Sequence, residues 1–149
     1  MKRDVAKQSQ VKQTHMEVLA LGQGLYYFLT GLWPLVGMRS FEAVTGPKTD
    51  RWLVKTVGVL VSVIGGVLMV AGWRRRVEPE PALLAAASAA GLGAIDTVYP
   101  LRGRIAKIYL LDAVVEVALV TAWMAWALPR RRPTPPSGLS RTTASARSS

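Results

Sequence analysis

Apolar residues gather in four long runs that are separated by short polar stretches. The runs cover residues 18–37, 53–73, 82–99 and 105–128. Each is about as long as the roughly 20 helical residues that cross a hydrocarbon core about 30 Å thick. A soluble helix of this length would carry a polar face toward water, and these runs carry almost none. The pattern therefore predicts an all-α protein, a four-helix transmembrane bundle formed by residues 18–128.

Polar segments precede and follow the membrane domain. Residues 1–17 contain Lys2, Arg3, Lys7 and Lys12 and are predicted to be a basic N-terminal tail. The apolar run behind them is longer than the roughly 7 to 15 residues of a signal peptide, so a retained span is favoured over a cleaved leader. Residues 129–149 are mainly Pro, Ser, Thr and Arg. Such a composition cannot bury a core and predicts a disordered basic C-terminal tail.

The net charge of +10 lies outside the apolar runs. Lys and Arg concentrate on the cytoplasmic side of membrane proteins, and they are more frequent in the two tails and after Trp73 than in the other two loops. Both termini are therefore predicted to be cytoplasmic. A basic chain can bind nucleic acid, but charges beside apolar spans are expected to meet anionic lipid. The predicted partner is the lipid bilayer, and no nucleic-acid partner is predicted.

The residue inventory excludes several kinds of chemistry. The chain has no cysteine, which excludes disulfides, thiolate ligands and cysteine nucleophiles. Its one histidine, His15, precedes the first run, so the sequence predicts no metal site and gives histidine catalysis little support. Gly22, Gly24, Gly91 and Gly93 lie inside apolar runs, without the strand–turn–helix setting of a nucleotide-binding loop. No cofactor can be identified from these residues.

Two acids interrupt the fourth apolar run, in the stretch YLLDAVVEVALV. Asp112 and Glu116 are four residues apart, so they share one helix face. Inserting two mid-span acids costs about 5 to 7 kcal/mol, whereas the aliphatic residues of this run return about 3 to 6 kcal/mol. The helix is marginal alone. It is expected to depend on hydrogen-bond partners in neighbouring helices, on protonation of at least one acid, or on both.

Polar residues in the other runs suggest where those partners lie. Gln23, Tyr27 and Thr30 follow helical spacing in the first run. We predict a polar interior built from these three residues together with Asp96, Tyr109, Asp112 and Glu116. It could be a proton-, cation- or ligand-binding cavity, because ionisable residues within spans are candidates for function. It could instead be a hydrogen-bonded network that only holds the helices in register, the interpretation preferred for Asp96 because that residue is nearer the surface.

Small residues recur four apart in the second and third runs. Gly58, Ser62 and Gly66 form one such stripe, and Ala82, Ala86, Ala90 and Ala94 form another, with Ala85, Ala89 and Gly93 beside it. Small residues let helix backbones approach closely in lipid. These stripes predict tight helix packing, either within one chain or between copies of it.

The longest polar connection, RSFEAVTGPKTDRW at residues 39–52, joins the first two runs. Gly46 and Pro47 predict a turn there, and Thr49 or Asp50 can cap the helix that follows. The stretch is predicted to be a capped connector, with an outer lid over the bundle as the alternative.

Two stretches resemble the DoxX-like group of small bacterial four-helix membrane proteins. They are GLYYFLTGLWPL at residues 24–35 and the glycine-containing VGVLVSVIGGVLMVAG at residues 57–72. The resemblance implies a multi-pass protein of the bacterial inner (plasma) membrane. It also implies an association with membrane redox or quinone-linked complexes, often as an accessory subunit.

Three functional classes follow from these observations. An accessory or scaffold subunit of a membrane complex, or a homo-oligomer, would use the small-residue faces, and this class is favoured. A small carrier or a protein that binds a lipophilic ligand or a proton would use the buried acids. An enzyme acting on a lipid-soluble substrate, with Asp112 or Glu116 as acid or base, is the least favoured class. Whether the protein is an enzyme stays open.

Overall fold

The computed structural model describes residues 2–75 and 77–127, which form five α-helices and no strand. The helices are α1 (Lys2–Val36), α2 (Met38–Thr45), α3 (Arg51–Trp73), α4 (Pro79–Leu101) and α5 (Tyr109–Ala127). The all-α prediction is confirmed. The predicted disordered tail, residues 129–149, lies outside the described residues.

Helices α3, α4 and α5 are each long and apolar enough to cross a membrane. Many of their large apolar side chains face outward, including Leu60, Val63, Leu83, Ile95, Leu111 and Val114. This is the surface of a multi-pass membrane protein, because apolar side chains can face outward at no cost where the solvent is lipid. Three of the four predicted spans are thus helices long and apolar enough to cross a membrane. Helix α1 does not reach the same mean hydropathy, since Gln23, Tyr26, Tyr27 and Thr30 make its apolar part more polar.

Helix α1 is one continuous helix of 35 residues that includes the predicted basic tail. At about 1.5 Å per residue it extends about 50 Å, well beyond a hydrocarbon core of about 30 Å. It ends shortly after Pro34, which lacks the N–H that an interior helical position would use. The Trp33 indole then donates to Ser40 Oγ at 2.9 Å, and Ser40 Oγ donates to the Gly37 carbonyl at 2.8 Å. These bonds fix the corner between α1 and α2.

The helices pack as two antiparallel pairs, α1 with α3 and α4 with α5. The first pair is in backbone contact. A Cβ atom placed on Gly31 would lie 2.6 Å from the Gly58 carbonyl oxygen, and one on Gly65 would lie 2.5 Å from the Phe28 nitrogen. The small-residue stripe of α3 thus includes Gly65. The predicted stripe through Gly66 is wrong at that position, because a Cβ there would meet nothing within 4 Å.

The second pair meets along the buried face of α4, formed by Ala82, Ala85, Ala89, Gly93 and Asp96. Ala90 and Ala94, predicted to belong to the packing stripe, are exposed on the other side of the helix. Helix α4 ends at Leu101 and is followed by Gly103 at φ 67°, after which the Arg104 N–H donates to the Tyr99 carbonyl at 3.0 Å. This is a glycine-terminated helix end. Because the chain turns there, α5 begins at Tyr109 rather than at residue 105 as predicted.

The two ends of the bundle differ. We call the end with α2 and the 102–108 connection the α2 end, and the end with residues 74–78 the opposite end. The apolar core lies toward the opposite end and consists of Met16, Ala20, Leu68, Val77, Ala82, Ala85 and Trp123. The polar residues predicted from the sequence lie between this core and the α2 end.

Candidate functional site

The polar side chains of α1 occupy one face of the helix, opposite its glycine contact with α3. Gln23, Tyr26, Tyr27 and Thr30 are spaced by three and four residues, so they project on the same side. Gln23 and Tyr27 are each only 1% exposed. Helix α1 therefore has two packing faces, a glycine face toward α3 and a polar face toward α4 and α5.

Tyr27 and Glu116 form a buried pair that joins α1 to α5. The Tyr27 hydroxyl donates to Glu116 Oε2 at 2.6 Å, and Glu116 is 1% exposed. On its other side Glu116 packs on α4, where a Cβ on Gly93 would lie 3.0 Å from Glu116 Cβ. The absence of a side chain at Gly93 makes room for the acid.

Tyr26, Asp112 and Asp96 form a second contact, closer to the α2 end. The Tyr26 hydroxyl donates to Asp112 Oδ1. The carboxyl group of Asp96 lies within hydrogen-bonding reach of Asp112. Asp96 is only 5% exposed, so the expectation that it lies close enough to the surface to be hydrated is wrong. Helix α4 carries it inward because Asp96 continues the buried stripe of Ala85, Ala89 and Gly93.

Asp112 occupies a different position in its helix from the predicted one. It lies in the first turn of α5 and is half-buried, whereas the apolar run suggested a mid-span position. A carboxylate in the first helical turn faces the positive end of the helix dipole, which lowers the cost of its charge. Asp96, Asp112 and Glu116, which we call the carboxyl cluster, thus extend from the first turn of α5 into the bundle.

A hydrogen-bonded layer lies between the carboxyl cluster and the apolar core. The Trp123 indole N–H donates to Gln23 Oε1 at 2.7 Å, and Gln23 Nε2 donates to the Ala85 carbonyl at 2.9 Å. Trp123 is 2% exposed. This polar layer joins α1, α4 and α5 through a single glutamine side chain.

The remaining predicted residues lie at the edge of the site. The Thr30 hydroxyl donates to the Tyr26 carbonyl of its own helix at 2.8 Å, so its bond supports α1 rather than an acid. Tyr109 begins α5 and is half-buried, with Lys48 Nζ 5.0 Å from its ring centroid. The structure thus brings five predicted residues together in the interior, namely Gln23, Tyr27, Asp96, Asp112 and Glu116, and leaves their function a prediction.

Two members of this site, Tyr26 and Trp123, were not predicted from the sequence. Tyr26 was not included, although its spacing of three from Gln23 and four from Thr30 places it on the same helix face. Trp123 was not assigned to the polar interior either. Its position seven residues after Glu116 was the signal for the interior.

A salt bridge links α2 to the start of α3. Arg51 donates twice to Glu42, from Nε to Oε1 at 2.8 Å and from Nη2 to Oε2 at 2.7 Å. The Lys48 backbone N–H donates to the same Oε1 at 3.3 Å. The hydrogen bond from Arg51 holds the pKa of Glu42 below its ordinary value. Asp50 occupies the predicted cap position of α3 but makes no side-chain cap bond.

Two carboxyl groups of the cluster, those of Asp96 and Asp112, are neighbours across the α4–α5 contact. Two carboxylates side by side repel one another, so such a pair is stable only when a proton or a cation lies between them. The described residues include no group of three or more histidine, cysteine or acidic side chains that could hold a metal ion. The phenol groups of Tyr26 and Tyr27 add hydrogen-bond donors but no charge. The arrangement can hold a proton and pass it between neighbouring oxygens.

Comparison with protein-family models, with curated proteins and with solved structures gives no match. The resemblance to the DoxX-like group therefore stays an expectation from the sequence, and the function is argued from the geometry of the site.

Proposed function

We propose that this chain is a four-span membrane protein that binds and releases a proton at the carboxyl cluster inside its bundle. One observation carries the proposal: carboxyl groups from α4 and α5 meet in the interior, where two tyrosine hydroxyls from α1 donate to them. A merely structural network would need no contact between two acids, since neutral amides make the same bonds without repulsion.

Helix α1 is the proposed fourth span. It lies antiparallel to α3. The two helices are in close contact from one end, where Glu17 lies beside Gly72, to the other, where Gly31 lies beside Gly58. The two helices are thus at the same depth, and the apolar part of α1 must be in the membrane if α3 crosses it. Leu25, Leu29 and Leu32 of α1 face outward like the apolar residues of the other spans. Its polar residues face the interior, which explains its lower hydropathy.

Four spans place both ends of the membrane domain on the same side, and the distribution of Lys and Arg favours the cytoplasm. Thiol labelling tests this topology, because the chain has no native cysteine. A cysteine replacing the exposed Thr49 should react with an impermeant reagent added to intact cells, whereas one replacing the exposed Glu80 should not. The reverse pattern would contradict the proposed orientation, and labelling of both or of neither would contradict a membrane crossing by α3, which separates the two positions.

The tyrosines keep the acids usable in a dry interior. A carboxylate without donors is costly there, and a carboxyl group bound to a fixed cation would exchange its proton poorly. Tyr27 and Tyr26 each supply one neutral hydroxyl donor, to Glu116 and Asp112 respectively. The acids can therefore gain or lose a proton without losing a partner.

Infrared difference spectroscopy in detergent tests the proposal directly. Titration of the wild-type protein should change the C=O stretch of a protonated carboxyl group, and this band should shift or disappear in Glu116→Gln or Asp96→Asn. Glu78→Gln is the matched control, because Glu78 is exposed. If the bands of the Glu116→Gln and Asp96→Asn variants titrate as in the wild type, the buried acids bind no proton and the proposal is wrong.

A second candidate function, an accessory subunit of a membrane complex, is favoured by a different surface. Helix α4 exposes Ala87, Ala90, Gly91 and Ala94 on one outward face. A Cβ on Gly91 would meet nothing within 4 Å, so another helix could approach this face closely. Gly91→Leu should abolish copurification of a stoichiometric partner, while Leu83→Ile should not. Copurification that survives Gly91→Leu would argue against this face as the subunit contact.

A further inference from the structure

The two ends of the bundle offer a proton very different surroundings. Toward the opposite end, the carboxyl cluster is followed by the layer of Gln23 and Trp123 and then by the apolar core. Met16, Ala20 and Leu68 of that core are each at most 6% exposed. A proton needs a chain of water or exchangeable groups, and packed apolar side chains provide neither.

The oxygen and the nitrogen of the Gln23 amide each bind a neighbouring helix. The oxygen accepts from the Trp123 indole, and the nitrogen donates to the Ala85 carbonyl. An indole N–H donates but cannot accept a proton, so Trp123 cannot relay one. The layer therefore separates the carboxyl cluster from the apolar core without relaying a proton between them.

Toward the α2 end, the cluster is followed by exchangeable and partly exposed groups. Asp112 is in the first turn of α5, and both Asp112 and Tyr26 are half-buried. Tyr109 lies three residues before Asp112 on the same helix face. Lys48 Nζ lies over the Tyr109 ring and donates to the Thr45 carbonyl at 3.1 Å. Tyr109, Lys48 and Asp112 are thus the partly exposed polar groups at this end, and Asp96 and Glu116 lie deeper.

We propose that the carboxyl cluster exchanges its proton only with the aqueous phase at the α2 end, with Asp112 as the entry group and the Gln23–Trp123 layer as the barrier. The proton passes from Asp112 to Asp96, its carboxyl neighbour, while Glu116 lies deeper with Tyr27. This inference rests on the proposed proton-binding function and adds the direction of access.

Every packed element contributes to the electrostatics of this path. Helix α1 brings Tyr26 and Tyr27, α4 brings Asp96, and α5 brings Tyr109, Asp112 and Glu116. The 46–50 connection brings Lys48, whose Nζ lies 5.0 Å from the Tyr109 ring centroid. Helix α3 carries its charges, Arg51 and Lys55, on exposed positions toward the α2 end.

The test compares detergent solution with sealed vesicles, using Thr49→Cys protein sorted into one orientation by an impermeant thiol resin. In detergent both ends meet the same pH, and the infrared carboxyl band should titrate. In vesicles, changing the pH at the α2 end should move this band as fully as in detergent, while changing the pH at the opposite end should leave it unchanged. The control is Trp123→Ala, which should make the band respond to both sides.

The outcomes separate this inference from the function on which it rests. A band that titrates in detergent but responds to the opposite end in wild-type vesicles would overturn one-sided access and leave proton binding intact. A band that does not titrate in detergent would overturn both. Because Trp123→Ala could unfold the bundle, Asp112→Asn provides a second variant. It should slow the vesicle response at the α2 end at least several-fold, and an unchanged rate would reject Asp112 as the entry group.

Discussion

The hydroxyl group of Tyr27 in α1 donates to Glu116 Oε2 of α5 at 2.6 Å, and each of these residues is only 1% exposed. This bond joins the two antiparallel helix pairs in the interior. Removing the hydroxyl leaves a buried acid without this donor, whereas replacing the acid by an amide preserves an acceptor oxygen.

We therefore expect Tyr27→Phe to lower the free energy of unfolding by about 1 to 2 kcal/mol, and Glu116→Gln to change it by less. Glu116→Lys should be severely destabilising, because it buries an unpaired cation. Tyr99→Phe, at a residue that is 48% exposed, is the matched control. Thermal unfolding in mild detergent measures all four. Equal stability of Tyr27→Phe and Tyr99→Phe would argue against the bond.

The neighbouring glycines Gly65 and Gly66 of α3 should respond oppositely to the same change. A methyl group on Gly65 would lie 2.5 Å from the Phe28 backbone nitrogen, whereas one on Gly66 would meet nothing within 4 Å. Gly65→Ala should therefore force α1 and α3 apart and cost about 1 to 3 kcal/mol. Gly66→Ala should be neutral or slightly stabilising, because alanine favours the helix. Denaturation in detergent should show this difference, and similar behaviour of the two variants would contradict the close approach.

The Gln23–Trp123 layer predicts non-additive mutations. Gln23→Leu leaves the Trp123 indole N–H buried without its acceptor, which should cost about 1 to 3 kcal/mol. Trp123→Phe removes that donor, so the double variant should be more stable than the sum of the two single changes predicts. A double-mutant cycle measured by unfolding gives the coupling. Strict additivity would mean that the two side chains do not interact.

The contact between Glu42 and Arg51 should make α2 sensitive to acid. Because the Arg51 hydrogen bond lowers the pKa of Glu42 in the folded protein, the contribution of this contact is present above the ordinary pKa of glutamate, about 4.3. It is lost as the pH falls through the lowered folded pKa. A spin label on Val44→Cys should become more mobile over that acidic range. In the Glu42→Gln background it should be mobile at neutral pH as well, and a label that stays immobile there would contradict the role of the contact.

Much of this fold could be predicted from apolar runs, because a segment that crosses lipid must satisfy its backbone N–H and C=O groups internally, as a helix does. Finer features depend on tertiary contacts that the one-dimensional pattern does not contain. Gly65 and Gly66 are adjacent residues of the same type, and only the rotation of α3 about its axis decides which one packs against α1. The start of α5 was predicted too early because Ile105 and Ile108 are apolar, although the turn at Gly103 keeps residues 102–108 out of a helix.

The candidate site was predictable to a similar degree. Helical spacing indicated that Gln23, Tyr27, Asp112 and Glu116 share an interior, because period and burial are linked within one helix. The contact of Asp96 with Asp112 was not predictable, since it depends on the register between α4 and α5. Which of the two tyrosines donates to Asp112 was not predictable either. Tyr26 and Tyr27 face adjacent turns of α5, so the pairing depends on the register between α1 and α5.

The most direct test of proton binding counts the protons that the purified protein takes up when a weakly buffered detergent solution is acidified from pH about 8 to about 6. Exposed carboxylates stay ionised in this range. Protons taken up elsewhere in the chain cancel when the wild type is compared with the Asp96→Asn/Glu116→Gln variant. The wild type should take up more protons than this variant, by about one per chain. Equal uptake by the two proteins would show that the carboxyl cluster does not exchange a proton near neutral pH, and would contradict the proposed function.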